Sequence, residues 1–92
     1  MVVGVIGWDI QVYDARSLKE KRAVVKSLKE RLKKLNLSVA ETGHQDTWQR
    51  AELTAAIVAT DRRGAEAMLD KADRLVAGES LGRIIDTYRI FY

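Results

Sequence analysis

The chain has 92 residues with 16 Lys and Arg against 13 Asp and Glu, a net charge of +3, 47% hydrophobic residues, no cysteine and no proline. That length fits one domain over residues 1–92, and the apolar fraction belongs to a folded globule rather than a disordered tail. The missing thiols exclude a disulfide framework or a thiolate metal site, and no run reaches the ~20 apolar residues that a membrane-spanning helix needs.

Val2 to Val12 alternates, with Val2, Gly4, Ile6, Trp8, Ile10 and Val12 on one face and Asp9 and Gln11 on the other, which predicts a half-buried strand. Its start lacks a basic leader and its apolar run breaks at Asp9, so it is not read as a signal peptide and a cytoplasmic location is expected. Ser17-Leu18-Lys19-Glu20 has capping-box spacing and opens a helix expected to run to about Leu35. Leu18, Val24, Val25, Leu28, Leu32 and Leu35 fall within an arc of about 120°, a core-facing stripe. Asn36 is suited to the left-handed position that ends a helix.

Leu37 to Thr42 predicts a second strand and Trp48 to Ala59 a third, joined by a turn at Gly43-His44-Gln45-Asp46-Thr47. In that turn Asp46 is expected to make an Asx-type bond and Trp48 to pack under the hairpin. Thr60 or Asp61 can cap a second helix, whose Ala65, Met68, Leu69, Ala72, Leu75 and Val76 recur at helical spacing until Gly78. Arg83 to Tyr92, rich in Ile, Tyr and Phe, predicts the last strand.

The resulting βαββαβ order is two split βαβ units. It predicts an α+β, ferredoxin-like sandwich: a four-stranded antiparallel sheet with two helices on one face, joined by right-handed crossovers. The other face would carry Val3, Val5, Ala56 and Val58 among Gly7, Asp9, Glu52 and Thr54. A face that apolar favours a second subunit or a partner, so a homo-oligomer, in the first place a homodimer, is expected.

Ser17-Leu18-Lys19-Glu20-Lys21-Arg22, Val24-Val25-Lys26-Ser27-Leu28, Ser38-Val39-Ala40-Glu41, and Asp46 with Trp48-Gln49-Arg50 together resemble the YlxP-like family of small, mostly uncharacterised bacterial proteins. Ile84-Ile85-Asp86-Thr87-Tyr88 is similar to that family as well. The resemblance implies a ferredoxin-like fold in a cytoplasmic bacterial protein. It also implies an association with translation, because such proteins are often encoded beside ribosome-maturation genes. It brings no catalytic residue and no activity.

Charge is distributed unevenly. Arg16 to Lys34 holds nine basic and two acidic residues, +7, while the other 73 residues sum to −4. On the helical wheel Lys19, Arg22, Lys26, Lys29 and Lys33 fall within about 80°, with no carboxylate inside the arc, and at ~1.5 Å per residue they form a ridge roughly 21 Å long. Like charges at three- and four-residue spacing repel, so helix stability alone would favour interleaved Glu. Such a row can follow a phosphate backbone and release counterions. A solvated face kept for solubility and a surface for an acidic protein are the other readings. Lys21 falls inside the apolar arc, where its stem is expected to pack while its head snorkels to water.

Arg50 beside Trp48 offers a cation and an aromatic for binding. His44 and Asp46 supply too few ligands for a metal, and no serine or cysteine motif offers a nucleophile for them to activate. The strands lack the stacking aromatics of an RNA-recognition module, so RNA would meet the helix ridge rather than the sheet. Tyr13-Asp14-Ala15-Arg16 lacks the glycine of a phosphate-cradling loop. The sequence therefore predicts no catalytic site, metal, small-molecule cofactor or membrane partner. It predicts a non-enzymatic binding protein for structured RNA or a ribosomal particle through Lys19, Arg22, Lys26, Lys29, Lys33 and Arg50, the alternative being a homodimeric interaction module using the open sheet face.

Overall fold

A computed structural model describes all 92 residues. The elements are β1 (Val2–Val12), α1 (Leu18–Lys33), β2 (Ser38–Gly43), β3 (Arg50–Ala59), α2 (Arg62–Ala77) and β4 (Gly82–Phe91). The strands form one sheet in the order β2-β3-β1-β4, every neighbouring pair antiparallel. The expected βαββαβ sandwich is the observed one.

Alternation places Ile6, Trp8 and Ile10 of β1 and Ala51, Leu53, Ala55 and Ile57 of β3 on the face the helices cover. Val24, Val25, Leu28 and Leu32 of α1 and Leu69, Ala72 and Val76 of α2 close over them in one core. Trp8 is fully buried, and its indole N–H donates to the Asp73 carboxylate of α2 at 3.0 Å. That bond satisfies the one polar atom of the largest core side chain.

The helix ends follow the sequence with two adjustments. Ser17 Oγ accepts from the Glu20 amide at 3.2 Å, but the Glu20 carboxylate reaches back to the Arg16 amide at 2.6 Å rather than to that of Ser17. Of the two candidate caps for α2, Asp61 makes the bond, to the Gly64 amide at 2.7 Å. Asn36 adopts φ 65°, the left-handed conformation expected after α1.

The hairpin departs further from expectation. Pairing of β3 with β1 ends at Gln11–Arg50, so β3 begins two residues later than the apolar pattern suggests. Trp48 does not pack under the hairpin; it is 50% exposed. The turn is closed by the Thr47 amide donating to the His44 carbonyl at 3.1 Å, with His44 at φ 57°. Asp46 makes no side-chain bond there, because the backbone already closes the turn.

Lys21 overturns its expectation most clearly. It is 1% exposed, with no hydrated head. Its ammonium lies 2.9 Å from Glu41 Oε2 of β2 and donates to the His44 carbonyl. Glu41 Oε2 is itself buried and meets no donor other than that ammonium. Two elements therefore converge on one cation that helical phase places in the core.

Breaking a buried pair from one side leaves an uncompensated charge, whereas replacing both partners by apolar groups is often nearly neutral. Glu41→Gln should therefore destabilise the fold by about 3 kcal/mol in urea denaturation, and Lys21→Met/Glu41→Met should return to within about 1 kcal/mol of the native chain. Equal losses for both variants would contradict the buried pair.

Candidate functional site

The apolar stripe of α1, with Lys21 in it, fixes how the helix is rotated on the sheet. That rotation turns Lys19, Arg22, Lys26, Lys29 and Lys33 to the flank beside β2. Four of the five are exposed, and Lys29 is half-buried. None stands within ion-pair distance of a carboxylate, although Lys21, Arg31, Arg50, Arg62 and Arg89 all do.

Arg22, Lys26, Lys29 and Lys33 line a groove of about 430 Å³ that also meets Glu30 and, across from α1, Glu41 of β2. Lys19 lies beyond the groove. Since β2 is the last strand on its side of the sheet, its outer backbone edge has no neighbour. The groove thus has a cationic wall from α1 and an opposite side at a free strand edge.

Arg50 does not join the ridge. Ala51 and Leu53 point under the helices, so Arg50 and Glu52 project from the opposite face of the sheet. There the Arg50 guanidinium forks onto Asp9, with Nε 3.2 Å from Oδ1 and Nη2 on Oδ2. The hydrogen bond to Asp9 holds the Arg50 pKa above its ordinary value; the Asp9 charge adds to this and desolvation opposes it. His44 Nε2 lies 3.6 Å from Asp9 Oδ1, so the histidine faces Asp9 rather than Asp46.

The open face carries Val3, Val5, Ala56 and Val58 as the sequence suggests, and also Tyr88, Ile90 and Tyr92 of β4, which sequence reasoning missed. The β4 register shifts between Asp9 and Ile10, where Asp86 and Ile84 are the paired residues and Ile85 is skipped. The shift reverses which residues of β4 face out. The i, i+2 spacing of Tyr88, Ile90 and Tyr92 was visible in the sequence, but their phase was not. The Tyr88 ring lies on Gly7, where a Cβ would stand 2.1 Å from Cε1.

The family model for "Protein of unknown function (DUF503)" matches residues 3–89. "Uncharacterized protein YlxP" of Bacillus subtilis (strain 168) is 42% identical over 71 residues, covering 76% of this chain and 77% of that protein. Among solved structures, the designed protein Foldit4 aligns with TM-score 0.57 at 13% identity, covering 100% of this chain and 97% of that one. A dimeric ferredoxin-like protein from an uncultured marine organism aligns with TM-score 0.55 at 11% identity, covering 100% and 96%. At such identities the structural likenesses establish the ferredoxin-like fold. The B. subtilis relative and the family model carry no activity with them. No helix is long and apolar enough to cross a membrane.

The unpaired ridge carries a stability cost that can be measured. Lys29→Glu converts two repulsions, with Lys26 and Lys33, into attractions, each pair being worth roughly 0.2–0.5 kcal/mol. Removing two repulsions and adding two attractions should gain about 1 kcal/mol in urea denaturation; a loss of stability would show that Lys29 is held by contacts within the chain.

Proposed function

We propose that this chain, which belongs to the DUF503 family of proteins of unknown function, is a non-enzymatic binding protein that holds structured RNA, free or in a ribosomal particle, through the basic ridge of α1. The observation that carries this reading is the row of five cations, none of them neutralised within the chain. A phosphate backbone supplies the missing counter-charges at a spacing a straight helix can follow, and binding gains from counterion release. Contacts of this kind fix position on the backbone without reading sequence. Arg50, held by Asp9 on the far face, contributes nothing to that surface.

Four to five phosphates should give a log–log salt slope of about −3 to −4 for association with an oligoribonucleotide. Lys26→Glu/Lys29→Glu should abolish co-sedimentation with ribosomal particles, and Arg50→Gln should leave it unchanged. Sedimentation that survives the double charge reversal would sink the proposal.

A second reading rests on the open face. Val58, Tyr88, Ile90 and Tyr92 leave an apolar surface with no covering element, and the marine ferredoxin-like protein of the same fold is described as dimeric. On this reading the protein is a homodimeric interaction module. Val58→Lys should then yield monomers in sedimentation equilibrium while leaving the salt-dependent RNA association of the ridge intact. A native chain that is already monomeric at high concentration would exclude it.

A further inference from the structure

A surface that only tracks phosphates gains nothing from a carboxylate, yet the groove beside the ridge contains two, Glu30 on α1 itself and Glu41 across from it. Glu41 projects from β2 opposite Arg22, Lys26, Lys29 and Lys33. Its two oxygens are used differently. Oε2 is buried against the Lys21 ammonium at 2.9 Å. Oε1 accepts no hydrogen bond from this chain, and the side chain keeps 20% of its surface exposed at the groove. Lys21 also fixes the carboxylate in place, so the free oxygen is preoriented before any ligand arrives.

The groove volume of about 430 Å³ falls in the ~300–1,000 Å³ range of small-molecule sites, which suits one nucleotide and not a duplex. Resting on the RNA reading above, we infer that this groove holds a single unpaired guanine nucleotide, its phosphate on the α1 cations and its base edge on Glu41. A carboxylate can only accept hydrogen bonds, so it selects bases that present donors. Guanine presents two adjacent donors, the N1–H and the exocyclic N2 amino group, on its Watson–Crick edge, and both can converge on the two lone pairs of the one free oxygen, Oε1. Uracil presents one imino N–H flanked by two carbonyl oxygens, which a carboxylate repels. Adenine and cytosine offer an amino group beside a ring-nitrogen acceptor, which again faces the carboxylate unfavourably. The free edge of β2 stands alongside with unpaired backbone groups for further contacts to the base. In an RNA, the ridge then holds the backbone and Glu41 reads one looped-out guanosine.

The test compares three probes against the native chain by fluorescence anisotropy or calorimetry: a seven-residue oligouridylate, the same oligomer with one central guanosine, and guanosine 5′-monophosphate alone. The guanosine oligomer should bind about tenfold more tightly than oligouridylate, within the range a good carboxylate–base pairing supplies. Lys21→Met/Glu41→Met, checked for native folding by its melting transition, should lose that preference and retain the oligouridylate affinity. Equal affinity for both oligomers in the native chain would overturn the guanine contact while leaving the ridge reading intact. Binding of neither oligomer would overturn the ridge reading itself. A preference that persists in the double variant would overturn the role of Glu41. Monophosphate binding as tight as that of the guanosine oligomer would keep the guanine site but overturn RNA as its source.

Discussion

A lysine ammonium buried in the first turns of α1 is the constraint around which the rest of the molecule is arranged. Lys21 sits where helical phase would place an apolar residue. Leaving such a charge unpaired in the interior costs several kcal/mol, so its partners must be delivered by the fold. Glu41 on β2 and the carbonyl of His44 in the following turn provide them. The pair therefore ties the start of α1 to an edge strand whose backbone pairs only with β3. It also sets the rotation of α1, because Lys21 and the Val24, Val25, Leu28 and Leu32 stripe must face inward together.

Once that rotation is fixed, the position of the ridge follows. Four of the five cations line a groove beside β2, and the carboxylate that neutralises Lys21 becomes its far side. Glu41 has two environments: its Oε2 is buried against Lys21, and its side chain also lines the groove. The ridge keeps a row of like charges that weakens the helix slightly, while Arg31 with Glu79 and Arg89 with Asp70 are among the cations elsewhere that are paired. What sets the ridge apart is its continuity, five cations on one stripe of one helix with no ion pair among them.

Much of this was legible in the sequence because it depends on local periodicity. The alternation of Val2 to Val12, the stripe of α1 and the spacing of the ridge translate directly into burial. What sequence could not supply were contacts between distant segments. Lys21 reads as a snorkelling residue because its partner lies 20 positions away in another element. Trp48 reads as core because a large aromatic usually is, but the β1–β3 register stops before it. Arg50 falls in the same stretch as the hairpin turn, yet strand alternation sends it to the opposite face, onto Asp9. The outward set of β4 was hidden by the irregular register near Ile85. In each case a pairing partner or a register, rather than a propensity, decided the outcome.

On the proposed reading α1 and β2, and not the open sheet, receive the anionic partner. Amide chemical-shift mapping of the labelled protein during titration with a short oligoribonucleotide tests it most directly. Perturbations should concentrate between Arg22 and Lys33 and across Ser38 to Gly43, with Val58, Tyr88 and Ile90 unmoved. Perturbations confined to the open face, with α1 silent, would contradict it.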